Sequence, residues 1–161
     1  ALVNARVDFT TNILAADTVL WTQVQTVSEI PYRGALFIVG PPGFRFLPVC
    51  ELRQPARGVD PGAQVPDGVL CRARINSFNI PEITLTAGSL GLQPGLFQFE
   101  LAGWNPPATT TVVVDDTRPC GASACWEFRV LPDGTDPTEG TDLDLKVSTP
   151  GFSVRRQMMS A

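Results

Sequence analysis

The chain has 161 residues, a formal net charge of −4, no histidine and a charged fraction of 17 %. The length suits one domain, and the charged fraction lies below the ~25 % that is usual for soluble proteins. We therefore expect either that a neighbour covers part of the surface or that uncharged polar side chains solvate it. The composition excludes histidine-dependent nucleophile systems, and it favours neither nucleic-acid binding nor a membrane span.

Apolar residues recur with the two-residue period of β-strands along most of the chain, and no segment keeps a helical period over three turns. Glycine and proline separate these runs, as they do at turns. The predicted strands are, in chain order, 2–9, 19–27, 35–39, 68–76, 83–86, 95–101, 109–114, 126–131 and 142–147. This pattern predicts an all-β fold, an antiparallel immunoglobulin-like β-sandwich of about 7–9 strands. The domain is expected over residues 1–148, with 149–161 as a final strand, tail or linker.

The segment 35–46 carries the clearest strand signal in the chain. Its continuous apolar run predicts a core strand, which ends at Pro41-Pro42-Gly43 because proline cannot donate to the hydrogen-bond ladder. The chain then continues through Phe44 to Cys50. This order is typical of an extracellular β-sandwich and not of a catalytic loop.

The four cysteines form an even set, which favours an oxidised, secreted protein. Three pairings are open. We expect Cys50 to pair with Cys71 and Cys120 with Cys125, because each of these bridges closes a short loop. The alternative, a four-cysteine zinc site, requires closely spaced ligands such as Cys-x-x-Cys, and this spacing does not provide them.

A run of carboxylates near the end of the domain is the one candidate metal site. Calcium prefers several oxygen ligands at short spacing, although the spacing here is not that of an EF-hand. The alternative is a solvated loop whose Asp-Gly and Asp-Pro pairs are turn residues. We expect no cofactor, with calcium as the open alternative. The candidate ligands are Asp133, Asp136, Glu139, Asp142 and Asp144.

Two further features bear on enzymes and ligands. Asp115 and Asp116 are paired carboxylates, but adjacent residues of a strand point to opposite faces, so they cannot act on one substrate. No enzymatic activity is therefore predicted. Trp104 stands at an Asn-Pro-Pro corner and is the best candidate for an exposed, sugar-stacking ring, whereas Trp126 lies in an alternating strand and is expected in the core.

The two ends of the chain are the candidate assembly segments. Residues 1–9 form an apolar terminal strand, which either completes its own sheet or adds to the sheet edge of a neighbour. Head-to-tail contacts that do not close generate filaments. The alternative is a self-contained domain with a frayed tail. The candidate assembly residues are Val3, Val7, Phe9, Phe152 and Val154.

Four motifs occur in a characteristic order: NARVDFTTN, then PPGFRF before a cysteine, then FQFELAGWNPP and finally CWEFRV. From residue 3 to 130 the chain resembles the β-sandwich modules repeated in tandem in very large surface proteins of microalgae and other protists, dinoflagellates among them. The resemblance implies an extracellular or cell-surface location and a modular architecture, and it supplies no catalytic residues.

The combined expectation is a non-enzymatic structural module of a filament, appendage or cell-surface layer. Its partners would be copies of itself or adjacent modules. The alternative is an adhesion module that binds carbohydrate or another surface ligand, using Trp104 and loops at one end of the sandwich. The two hypotheses differ in what stays exposed, namely apolar area covered by a neighbour or an open aromatic cleft.

Overall fold

A computed structural model of the chain describes residues 2–11, 13–53, 63–107, 125–135, 142–150 and 154. Within these ranges there are β-strands and no helices, so no helix is long and apolar enough to cross a membrane. The strands are β1 (Val3–Phe9), β2 (Asp17–Thr26), β3 (Ala35–Val39), β4 (Leu52–Arg53), β5 (Leu70–Ile75), β6 (Pro81–Thr86), β7 (Gly95–Trp104), β8 (Cys125–Leu131) and β9 (Asp144–Pro150).

The strands form two antiparallel sheets that enclose one core. One sheet has the order β1-β2-β7-β4, and the other has the order β5-β6-β3-β8-β9. Buried apolar residues from both sheets belong to a single cluster. The predicted all-β class is thus confirmed, and the arrangement of the sheets is sandwich-like.

The long pair β2 and β7 forms the centre of the four-stranded sheet. Their register runs without a break from Asp17 opposite Trp104 to Thr26 opposite Gly95. Phe97, Phe99 and Leu101 face the core, as the alternation of this segment predicts. Strand β7 continues three residues beyond the predicted 95–101, and this extension brings Trp104 into the sheet.

The five-stranded sheet is centred on β3, whose bounds agree with the predicted 35–39. Leu36 and Ile38 pack into the core beside Phe128 of β8, and Phe37 is also buried on the other face. Burial on both faces explains why this strand is apolar without alternation. Trp126 is 1 % exposed, so its predicted place in the core is confirmed.

Pro-Pro-Gly turns the chain out of β3 and toward the other sheet. Gly43 has a φ of +93°, a conformation that favours glycine. The next residue, Phe44, is fully buried, and its ring meets that of Trp126 edge-on at 5.2 Å. Arg45 then pairs with Trp104 of β7, so the chain crosses between the sheets at this point.

Three expectations about strands have different outcomes. The segment 51–67, whose three prolines and two glycines predict a loop, contains the two-residue strand β4, which pairs with β7. The predicted strand 109–114 lies outside the described residues. The alternation of 142–147 predicts that Leu143 points inward, but Leu143 is 37 % exposed and Asp144 is buried. Val147 lies opposite Phe128 and Asp144 lies opposite Val130, so β9 has one extra residue here, and this bulge reverses which of its side chains face the core.

The C-terminal part of the core extends past the predicted domain limit. Residue 148 falls inside β9, which runs to Pro150. Val154 is 1 % exposed and belongs to the same core cluster as the strands. The residues that pack against the two sheets therefore continue beyond residue 148.

A disulfide joins Cys50 to Cys71, as predicted. It holds residues 48–50 along the outer edge of β5, where the Cys50 N–H donates to the Cys71 carbonyl and the Ala73 N–H donates to the Pro48 carbonyl. This cover satisfies part of an edge that would otherwise be open to pairing. The second predicted bridge includes Cys120, which lies outside the described part of the chain; Cys125 is the first residue of β8.

We predict that the double substitution Cys50→Ala and Cys71→Ala lowers the free energy of unfolding by about 3 kcal/mol. The bridge closes a loop with a sequence separation of 21, and its loss raises the conformational entropy of the unfolded chain. Guanidinium unfolding under non-reducing conditions measures this loss. The control is the exposed substitution Val49→Ala, which retains the bridge and should change stability by less than about 0.5 kcal/mol. Equal stability of the double variant and the wild type would contradict the prediction.

Candidate functional site

Trp104 occupies the last position of β7 and is 38 % exposed. Its backbone N–H donates to the Arg45 carbonyl at 2.9 Å, and its carbonyl accepts from the Arg45 N–H at 3.1 Å. On its other side, Asp17 is its direct cross-strand partner in β2. The backbone N–H and carbonyl of Trp104 are therefore both bonded to Arg45, whereas its ring remains accessible to solvent.

Gly103 allows the crossing segment to approach β7 closely. A Cβ atom at this position would lie 2.6 Å from the Arg45 carbonyl oxygen and 2.7 Å from the Phe46 ring. These distances are too short for any side chain, so only glycine at position 103 allows Arg45 and Phe46 to lie this close to β7. The close approach also brings Leu47, which follows Phe46, to the side of the same surface.

A groove of about 310 Å³ opens beside Trp104. Val19 and Ala102 are cross-strand partners on the outer face of the four-stranded sheet, and both line the groove. Leu47 and Trp104 add exposed apolar surface to it. The remaining lining residues are Thr10, Asp17, Thr18, Glu51, Arg53 and Gly103.

The polar part of the groove contains an ordered ion pair. Arg53 donates from Nε to Glu51 Oε1 and from Nη2 to Glu51 Oε2, both at 2.9 Å. The hydrogen bond from Arg53 holds the pKa of Glu51 below its ordinary value, and the same contact raises the pKa of Arg53. Both groups are therefore charged at neutral pH, and the bidentate contact fixes the plane of the guanidinium.

This arrangement combines an aromatic ring, an apolar floor, carboxylate acceptors and a guanidinium donor in one space. Such a combination can hold a ligand that has both C–H faces and hydroxyl groups. The described residues contain no group of three or more Cys, Asp or Glu placed to hold a metal ion, and the chain has no histidine.

Among the candidate calcium ligands that the structure describes, Asp133, Asp142 and Asp144 form no group placed to hold a metal ion. Asp133 accepts from the N–H and the hydroxyl of Thr135 in a turn. Asp142 receives two hydrogen bonds from the buried Arg129, at 2.9 and 2.6 Å. Two further candidates, Asp136 and Glu139, lie outside the described ranges. Each described carboxylate of the set accepts hydrogen bonds from the protein, and the calcium site as a whole stays a prediction.

Asp144, the last member of that set, fastens β9 to the turn after β2. One of its oxygens accepts from the N–H groups of Val27 and Ser28, at 3.0 and 3.1 Å, and the other accepts from the Ser28 hydroxyl. Burial alone would raise the pKa of Asp144, but these hydrogen bonds, those from Ser28 first, leave it below its ordinary value. This role of Asp144 has no signal in the sequence, because its two partners lie far from it along the chain.

The candidate assembly residues lie in different environments. β1 pairs with β2 of the same chain, and Val7 is buried between the sheets while Val3 and Phe9 are exposed. The start of β1 contains a register shift, where Asn4 has a φ of +53°. Such a bulge makes an edge less suitable for pairing with another strand. Val154 is buried, and Phe152 lies outside the described residues.

Comparison with protein-family models and with curated proteins finds no match for this chain. The assignment of a function therefore depends on the chain's own residues and on their arrangement.

We predict that Asp144→Asn lowers the free energy of unfolding by about 2 kcal/mol at pH 7, because it removes the charge from three hydrogen bonds. The folded pKa of Asp144 is depressed, so its contribution is complete above the unfolded value of about 3.9 and is lost as pH falls through the folded pKa. The difference between wild type and variant should therefore shrink as the pH decreases below 4.

Urea unfolding between pH 7 and pH 3 measures that difference. The matched control is Asp67→Asn, which makes the same change at an exposed carboxylate in the turn before β5 and should have little effect at any pH. A difference at Asp144 that stays constant across this range would contradict the assigned role of its charge.

Proposed function

We propose that this chain is a non-enzymatic extracellular structural module, an immunoglobulin-like β-sandwich whose copies meet end to end in a filament, appendage or cell-surface layer. The supporting observation is that β1 begins at one end of the sandwich and β9 finishes at the opposite end. Exposed apolar side chains lie at both of these ends.

The strand registers define these two ends. β1 begins at Val3, opposite Gln25, beside the turn that joins β2 to β3. We call this the entry end. β9 begins at the entry end, where Asp144 lies opposite Val130, and finishes at Pro150, opposite Cys125. We call that opposite end the exit end. A successive module placed at the exit end would continue the array in one direction, with its own entry end facing the exit end of the first.

Large apolar side chains are exposed at both ends. Leu90, in the loop between β6 and β7, is 91 % exposed at the entry end, where Val27 and Tyr32 are also exposed. Phe78, in the hairpin between β5 and β6, is 78 % exposed at the exit end. Exposed apolar groups of this size at the two poles favour a contact between unlike ends.

The hairpin that carries Phe78 is well ordered by hydrogen bonds. The Asn76 side-chain oxygen accepts from the N–H groups of Phe78 and Ile80, at 2.9 and 3.1 Å, and the Asn76 N–H donates to the Ile80 carbonyl. A ring presented on a fixed turn loses little conformational entropy when it is buried by a partner. Phe78 therefore has the properties of an interface anchor.

Two more observations support the proposal. The Cys50–Cys71 disulfide is consistent with an oxidising, extracellular compartment. β1 is paired within its own sheet, so we propose contact between folded ends and not the exchange of a strand. Both features fit a module that folds alone and then associates.

We predict that the purified chain associates in a concentration-dependent manner, and that Phe78→Asp and Leu90→Asp each weaken this association by roughly 30-fold or more, as for interface anchors. Each variant introduces a charge at one end only. The matched control is Val49→Asp, at a similarly exposed apolar residue on the side of the sandwich. Sedimentation velocity over a range of concentrations measures the effect.

A mixture of the two variants makes the test specific for unlike ends. Phe78→Asp retains an intact entry end and Leu90→Asp retains an intact exit end, so the mixture should form dimers but no longer chains. A wild type that stays monomeric at its highest soluble concentration would overturn the proposal. Association that responds equally to Val49→Asp would do the same.

A further inference from the structure

We infer that the groove beside Trp104 is a binding site for a neutral carbohydrate of one or two sugar rings. This site goes beyond the structural role proposed above. The groove floor lies on the outer face of the four-stranded sheet near the exit end, and Phe78 belongs to a hairpin of the other sheet at the same end.

The apolar contacts of the groove suit the C–H face of a sugar ring. Val19 and Ala102 provide a half-buried floor, and the Trp104 ring stands next to them at the end of β7. Aromatic rings contribute a large apolar surface with little side-chain entropy to lose. Two backbone hydrogen bonds to Arg45 fix the position from which this ring projects, so the binding surface is already formed in the free protein.

The polar groups around this floor suit hydroxyl groups. The Asp17 carboxylate belongs to the residue directly opposite Trp104 and can accept hydrogen bonds beside the ring. Arg53 supplies donors in a plane that Glu51 holds fixed. A hydroxyl group both donates and accepts, so a ligand with several hydroxyls can use both kinds of partner at once.

Charge and size restrict the ligand further. Among the described lining residues, Asp17 and Glu51 contribute two carboxylates and Arg53 one guanidinium, and the whole chain has a net charge of −4. This balance disfavours sulfated or carboxylated glycans. A volume of about 310 Å³ corresponds to about ten water molecules, a space that one or two sugar rings would occupy.

The test begins with an array of immobilised neutral oligosaccharides, with sulfated glycans on the same array. The sugar bound most strongly is then titrated in solution while tryptophan fluorescence is recorded. Trp126 is buried and Trp21 lies beneath the Arg6 guanidinium, so a change on binding should come mainly from Trp104. We expect binding of a neutral sugar accompanied by a fluorescence change.

Three variants separate the contributions of the site. Trp104→Ala should weaken binding roughly tenfold or more, because it removes the stacking surface. Trp104→Phe should retain most of the affinity but lose the fluorescence change. Asp17→Asn should weaken binding while leaving the fluorescence change at saturation intact. The matched control is Tyr32→Ala, which truncates an exposed aromatic residue at the entry end and should bind like the wild type.

Circular dichroism and thermal unfolding establish that each variant is folded before binding is measured. The proposal is overturned if the wild type binds no neutral sugar on the array, or if it binds sulfated glycans only. It is also overturned if a folded Trp104→Ala variant binds with wild-type affinity. Because the groove lies near the exit end, binding is measured at concentrations at which sedimentation shows the chain to be monomeric, so that failure of the end-to-end proposal would leave these results unchanged.

Discussion

The burial of Phe44 against Trp126 is the contact on which the remainder of the structure depends. The chain must leave the central strand of one sheet and reach the other sheet without exposing the core between them. Pro-Pro-Gly ends β3, Gly43 makes the turn, and the Phe44 ring fixes the crossing at 5.2 Å from the Trp126 ring. An aromatic pair of this kind adds about 1 kcal/mol to the free energy of burying the two rings. The crossing in turn places Arg45 against Trp104 and brings Cys50 within reach of Cys71, so the groove and the edge cover both follow from it.

The covering of sheet edges explains why the ends are the surfaces proposed for association. Residues 48–50 lie along the edge of β5, held there by the disulfide. β4 pairs with β7 at residues 100 and 101, and Ala63 accepts from the Gln98 N–H further along the same strand. β1 carries a bulge where its edge begins. These devices obstruct edge-to-edge pairing, whereas Leu90 and Phe78 remain exposed at the two poles.

Periodicity predicted the parts of the fold in which one face of a strand meets the core without interruption. β3 has its predicted bounds, and the inward faces of β7 and β8 are the predicted ones, because burial follows the two-residue period there. Leu143 departed from the prediction because β9 has one extra residue between Asp144 and Val147 relative to β8, and this bulge reverses the face that the alternation predicts. β4 is too short to have a period. Trp104 was recognised as a candidate, but its neighbours Leu47 and Arg53 come from distant segments that only the register of β7 brings together.

The groove differs from a loop site in how it is held. Trp104 and Asp17 are paired strand residues, and the crossing segment is fixed to Trp104 by two backbone hydrogen bonds. A ligand would therefore meet a surface already in its binding geometry, and its affinity would not be reduced by the free energy of ordering a loop. Two aromatic residues, Trp104 and Phe44, have different roles in this part of the structure. The Trp104 ring is exposed, so its loss should alter binding with little effect on folding, whereas the Phe44 ring supports both the core and the crossing. Stability and the proposed recognition thus share a backbone scaffold but depend on different side chains.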